Sequence, residues 1–220
     1  MDIYEDIRRN VLEGNTKQVK ALVEKALALR YSPEAILKNG LILAMQMLAR
    51  KYGDNAVSVP ETMLTTRAFN MGLKVVSPHL KVKNRPQSCR ALIGTVEGDL
   101  HDIGKNLVKT YLSTLDLEII DLGVEVSKER FAEAVSTYHP QLLMISTLLL
   151  TSLEEIKNVI DELRRQGLRD DVIIFVGGQP VTPEFAKEAG ADYYSKDAIE
   201  LRNFLDKNLS KILRVKKSNT

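Results

Sequence analysis

The sequence predicts an α + α/β protein in which an N-terminal helical bundle precedes a doubly wound α/β domain with a five-stranded parallel sheet. Up to about residue 80, apolar residues recur at helical spacing. Beyond residue 89, short apolar runs alternate with helical stretches, the pattern of a parallel sheet covered on both faces. Between them, residues 81–88 are polar, contain Pro86 and lack periodicity, so they read as a linker between domains at 1–82 and 89–213.

Each helix of the first domain has its own signal. Residues 3–12 form a short first helix. In 15–30, Val19, Leu22, Val23, Ala26 and Leu27 share one face, with Asn15 and Gln18 spaced as a capping box. Ser32 and Pro33 then stand as N-cap and first helical residue of the next helix. Over 35–48 the residues are apolar almost all round, as expected of a helix enclosed by others. The helix from Pro60 to about Ser77 carries Met63, Leu64, Ala68, Met71, Val75 and Val76 on its expected apolar face.

In the second domain, strands are predicted at 91–95, 117–122, 142–146, 172–176 and, weakly, 192–194. Helices are predicted at 103–115, 128–138, 152–166, 183–189 and 198–213. Ligands of such Rossmann-like folds sit beyond the carboxyl ends of the strands. Those ends hold residues 98–104, Gly123, 146–152 and 177–180, so the chemistry-bearing residues converge on one edge. His139, on the opposite edge, and His79 read as structural.

Composition removes several functions. Lys and Arg number 31 against 29 Asp and Glu, too balanced for a nucleic-acid partner. No apolar run nears the roughly 20 residues that cross a bilayer, and the charged N-terminus is unlike a signal peptide, so a cytoplasmic protein with no membrane partner is expected. The single cysteine, Cys89, excludes an internal disulfide and reads as structural.

The strongest local signal is Asp99-x-His101-x-x-Gly104, with Asp102 and Ile103 inside it, on a glycine-bracketed turn between strand and helix. A neutral imidazole is a good metal ligand, and a carboxylate holding its other N–H fixes its tautomer. Ser146-x-Leu148, Ser152 and the pair Gly177-Gly178 follow in order. Taken singly, each has a plainer reading. Asp99, His101 and Asp102 could be surface polarity or a divalent-metal site, Ser152 with Glu155 a capping box, and the glycine pair a turn or phosphate loop.

Together these residues resemble the signature of cobalamin-binding domains, and the preceding helices narrow the resemblance to the corrinoid methyl-carrier proteins of one-carbon methyltransferase systems. The likeness runs from about residue 40 to 198. It implies a base-off, His-on cobalamin, as methylcobalamin or a related corrinoid, with His101 as the lower cobalt ligand, Asp99 bonded to it and Ser152 completing a relay. It also implies that the nucleotide tail lies in a slot beside Ser146, Gly177 and Gly178, with Thr182 and Tyr194 among its walls. The helical domain, through Tyr52-Gly53-Asp54 and Val59-Pro60-Glu61 to Ser77-Pro78, resembles the cap over the upper cofactor face, although Ser58 replaces the aromatic that relatives commonly have; Met63, Leu64 or Met71 then become candidates for that contact. The implied partners are a substrate-specific methyltransferase, an acceptor-side methyltransferase using tetrahydrofolate or coenzyme M, and a reductive activase. The protein itself would be a non-catalytic carrier. An adenosylcobalamin-dependent light sensor or a mutase small subunit are the alternatives; the first normally carries a tryptophan, which this chain lacks, and the second usually lacks the helical bundle.

Overall fold

A computed structural model describes residues 2–53, 59–80, 89–112, 115 and 117–218. The chain divides into two compact units, Met1–Lys81 and Val82–Thr220. The predicted linker at 81–88, and Asp54 and Ser58 of the cap motif, lie outside the described residues. Among the described residues no helix is long and apolar enough to cross a membrane.

In the first unit, α1 (Ile3–Leu12) and α2 (Thr16–Ala28) are followed by α3 (Pro33–Ala35), a π-helical stretch (Ile36–Ile42), α4 (Leu43–Gly53) and α5 (Val59–Val76). Ser32 caps as expected, its hydroxyl accepting from the Ala35 N–H. Asn15 makes no side-chain capping bond, so the predicted capping box does not form. Ile7, Val11, Val19, Val23, Leu37 and Leu41 are buried. The π stretch is unanticipated. It shifts the ladder so that the Leu43 N–H donates to the Lys38 carbonyl, five residues back. The neighbouring Asn39 carbonyl instead accepts from Arg8 Nη1 at 2.7 Å. On α5 the buried stripe is Thr65, Ala68, Phe69, Leu73 and Val76, while Met63 and Leu64 are exposed. The apolar face therefore lies one step round the helix from the predicted one, and Thr65 turns inward on it to donate to the Leu12 carbonyl at 3.1 Å.

The second unit alternates strand and helix. Its elements are β1 (Cys89–Val96), α6 (Ile103–Leu112), β2 (Leu117–Val126), α7 (Lys128–Tyr138), β3 (Leu142–Ser146), α8 (Leu153–Arg165), β4 (Ile173–Gly177), α9 (Pro183–Ala189), β5 (Tyr193–Tyr194) and α10 (Ala198–Ser218). All strands are parallel in the order β2-β1-β3-β4-β5, the doubly wound sheet that was predicted. Side chains alternate between its faces. Leu92, Leu143, Ile145 and Ile174 pack with Phe131, Val135, Ile156 and Ile160 of α7 and α8. Ala91, Ile93, Met144 and Phe175 pack on the other face with Leu112 of α6 and Leu201 and Leu205 of α10. Each face has a continuous core, so the sheet is enclosed without β2 or β5 being apolar throughout.

His139 takes a structural place: it ends α7 in the left-handed conformation (φ 46°), its N–H donating to the Val135 carbonyl. β2 runs four residues beyond its predicted end. There the pairing with β1 slips twice, at Gly94 and before Val96, and Glu125 takes a left-handed φ of 52°. Because the chain goes from β1 outward to β2 and then returns to β3 on the opposite side, the β1–α6 and β3–α8 loops face each other at the switch point.

Candidate functional site

Asp99 lies at the centre of that switch point. Gly98 turns the chain with φ +76°, which a side-chain-bearing residue adopts only with strain, and Asp99 is drawn fully into the interior. Burying a carboxylate without partners is costly, and this one has four donors. Its Oδ1 accepts from the His101 backbone N–H at 2.9 Å and from His101 Nδ1 at 2.6 Å. Its Oδ2 accepts from the Thr147 hydroxyl at 2.8 Å and the Leu148 N–H at 2.6 Å. Burial pushes the Asp99 pKa up, but the hydrogen bonds from Leu148, His101 and Thr147 outweigh it and bring the carboxyl down to about 2. Asp99 is therefore an anion that can only accept, and the proton it shares with His101 belongs on Nδ1. In a neutral ring so held the lone pair lies on Nε2, and the side chain is 48% exposed.

The loop is pinned elsewhere too. The Asp99 carbonyl accepts from the Glu125 N–H at 3.1 Å, using the irregular end of β2. The His101 carbonyl accepts from Thr95 Oγ1 at 3.1 Å, and that hydroxyl is 3.1 Å from Ser146 Oγ. Asp102 does not join His101: its carboxylate accepts from Asn106 Nδ2 at 2.9 Å, and Ile103 and Gly104 simply open α6. Among the described residues no three His, Cys, Asp or Glu side chains are grouped to hold a metal ion, so the divalent-site reading of Asp99, His101 and Asp102 is not supported.

A cavity of about 210 Å³ runs beside the sheet on the α6 and α10 face. Gly104, Ser146, Gly177 and Gly178 line it, together with Lys105, Lys196 and apolar side chains of the strands. Lys105 is 96% buried, and its Nζ donates to both oxygens of Asp121 at 2.6 and 2.7 Å; Lys109 donates to the same carboxylate at 2.9 Å. Burial alone would raise the Asp121 pKa, but these ammonium donors and the Gly123 N–H lower it.

Three groups of residues stand in a different arrangement from the one expected. Ser152 is not the third member of the Asp99 group, since Thr147 makes that bond; nor does its side chain cap α8. Ser152 is buried beneath the loop, where a Cβ on Gly98 would come within 3.3 Å of its Oγ. Thr182 and Tyr194 are not among the residues lining the cavity. Thr182 caps α9, its hydroxyl accepting from the Phe185 N–H, and Tyr194 packs with the core on the opposite face. The glycine pair does border the cavity, but backbone packing is what demands glycine: a Cβ on Gly177 would meet the Ser195 carbonyl at 2.8 Å, and one on Gly178 the Thr147 carbonyl at 1.7 Å.

Thr147 and Lys105 are the residues that sequence reasoning missed. Thr147 had one available signal, since it follows Ser146 at a strand end and adjacent residues of a strand face opposite ways. Leu100, Leu148 and Leu150 are exposed on the two loops that flank His101.

Known proteins match over most of the chain. A family model described as B12 binding domain matches residues 89–201, and a second of the same description matches 3–77. Trimethylamine corrinoid protein 2 of Methanosarcina mazei is 30% identical over 200 residues, covering 90% of this chain and 91% of that protein. Dimethylamine corrinoid protein 2 of the same organism is 31% identical, covering 90% and 93%. The solved monomethylamine corrinoid protein of Methanosarcina barkeri superposes with a TM-score of 0.85 at 31% identity, over 91% of this chain and 95% of that one.

Proposed function

The chain belongs to the family of B12-binding corrinoid proteins, and on that premise we propose that it is a methyl carrier that holds its cofactor base-off with His101 as the lower cobalt ligand. The observation that carries this reading is the His101 Nδ1 to Asp99 Oδ1 contact of 2.6 Å, which fixes the ring on a half-exposed side chain and leaves Nε2, among the described residues, without a hydrogen-bond partner.

The residues present fit a corrinoid. A neutral imidazole whose other nitrogen is held by a carboxylate is the arrangement that makes a histidine a strong metal donor. Leu100, Leu148 and Leu150 offer an apolar rim beside it for the underside of a macrocycle, excluding water from the Nε2 side. The cavity bordered by Ser146, Gly104, Gly177 and Gly178 is the place for the nucleotide tail, and the remaining Ser146 acceptor capacity suits the base. Asp102 and Ile103, at the start of α6, stand beside that loop and complete the set of residues proposed to hold the cofactor. When bound, the corrinoid supplies a cobalt centre that accepts a methyl group from one methyltransferase and yields it to another.

The partners are then a substrate-specific methyltransferase, an acceptor-side methyltransferase and a reductive activase. The relatives bear the names of three different methylamines at 30–31% identity, which fits a carrier whose donor is chosen by the first methyltransferase. A match that extends over the helical unit, residues 3–77, favours a carrier over a mutase small subunit.

The deciding experiment is His101→Ala. The variant retains cobalamin with weaker affinity, and its ultraviolet-visible spectrum is no longer that of a histidine-ligated form. A spectrum indistinguishable from the parent's overturns the ligand assignment.

A further inference from the structure

Asp99 has two oxygens and two jobs. One, Oδ1, faces His101 and holds both its backbone N–H and its ring; the other, Oδ2, faces β3 and holds Thr147 and Leu148. The carboxylate cannot rotate without breaking bonds on both sides, so whatever holds Oδ2 also sets where the imidazole stands. Leu148 contributes a main-chain N–H, which no substitution tunes. The Thr147 hydroxyl is the side-chain contribution, and at 2% exposure it has no water to replace it.

Thr147 is itself held on three sides. Its N–H donates to the Gly177 carbonyl at 3.3 Å, and its hydroxyl accepts from the Leu149 N–H at 3.3 Å. Its carbonyl occupies the space where Gly178 would carry a Cβ, at 1.7 Å from that ideal position. A continuous packed path thus leads from the cavity-lining end of β4 through Thr147 and Asp99 to His101. Ser152, by contrast, reaches this group through its backbone N–H, which donates to the Leu149 carbonyl at 3.2 Å, while its hydroxyl lies beneath Gly98.

From these contacts we infer that Thr147, rather than Ser152, is the positioning residue that fixes Asp99 and through it the His101 ring for metal ligation, and that it ties the ring to the Gly177-Gly178 wall of the cavity. The inference rests on His101 being the ligand. Thr147→Val keeps the shape and removes the hydroxyl, leaving Oδ2 with one donor. Loss of a partner behind a metal-binding histidine typically weakens the metal site by about 10-fold to 100-fold. Thr147→Ser restores the hydroxyl and with it the positioning.

The test uses the full-length protein loaded with hydroxocobalamin, read by binding titration and, after reduction to Co(II), by electron paramagnetic resonance with ¹⁵N-labelled histidine. In the parent, nitrogen coupling from histidine marks ligation. Thr147→Val binds about 10-fold more weakly and loses much of that coupling, Thr147→Ser recovers both, and Ser152→Ala loses less than Thr147→Val. Coupling as strong in Thr147→Val as in the parent overturns the inference alone, as does loss of most of the parent's coupling in Ser152→Ala, an arm read against the parent and so decisive should the valine variant fail to fold. Absence of histidine coupling in the parent overturns the ligand reading itself, and this inference with it.

Discussion

His101 and Asp99 are joined twice, through the ring Nδ1 at 2.6 Å and through the backbone N–H at 2.9 Å, both to one carboxylate oxygen. The double contact fixes the loop and the ring together, so the residue that orients the imidazole also sets its backbone. Binding and folding therefore share one group.

Asp99→Asn separates those contributions from shape. An amide of the same size turns an NH₂ toward two of the four donors, leaving buried hydrogen-bonding capacity unmet. The variant should lose about 2 kcal/mol of stability, read from the urea midpoint of the cofactor-free protein. Its corrinoid affinity should fall by about 10-fold or more, since a neutral amide no longer supports the imidazole. Unchanged affinity alongside lost stability would mean that Asp99 serves the fold alone.

Two glycines at the cavity respond in opposite directions to a single methyl group. At Gly178 a Cβ falls 1.7 Å from the Thr147 carbonyl and φ is +128°, so Gly178→Ala should cost at least about 3 kcal/mol or fail to accumulate. At Gly104 a Cβ meets nothing within 4 Å, and the residue lies in the first turn of α6. Gly104→Ala should stabilise the cofactor-free protein by about 0.5–1 kcal/mol while weakening corrinoid binding. Melting curves with and without cobalamin check both, and a stabilised variant that binds like the parent would remove Gly104 from the tail-binding wall.

Arg8 tests the π-helical stretch. Its Nη1 bond to the Asn39 carbonyl satisfies an acceptor beside the shifted ladder, and Arg8→Met should cost about 1 kcal/mol in urea denaturation. No loss would mean that solvent serves that carbonyl equally well.

What could be read from the chain follows from how local each signal is. The helix start at Ser32-Pro33, and the strands carried by unbroken apolar runs, depend on neighbouring residues and were legible. The end of β2 was not, because Asp121, Gly123 and Glu125 break the apolar run, and the strand continues only through slipped pairing with β1. The π stretch is hidden for a similar reason: the contact made by the Asn39 carbonyl within it, from Arg8, spans 31 positions. The motif Asp99-x-His101 was legible as a pair, since an aspartate two residues before a histidine reaches both its N–H groups. The partner of Asp99 across the switch point was not. Ser146, Thr147 and Ser152 are all hydroxyls near one strand end, and only the folded chain places that of Thr147 against Asp99.

Acid sensitivity should originate at Asp121 together with Asp99, whose carboxyl is held down at about 2. Lys105 is almost wholly buried against this carboxylate and Lys109 adds a second ammonium, so ionised Asp121 is favoured in the folded chain. Its pKa is lowered below the usual 3.8 despite burial. A depressed carboxylate pKa contributes stability that is fully present above the unfolded value and is lost as pH falls through the folded one. Urea midpoints of the cofactor-free protein should therefore be level from neutral pH to about 5 and decline below about 4. Asp121→Asn should lose about 3 kcal/mol at neutral pH, because the Lys105 charge is left buried without its counter-ion, and should show a shallower decline in acid. Replacing both members, as Lys105→Met with Asp121→Asn, should recover much of that loss, since the costly element is the unpaired charge and not the missing bond. An acid profile of Asp121→Asn that overlays the parent's would assign the decline to other carboxylates.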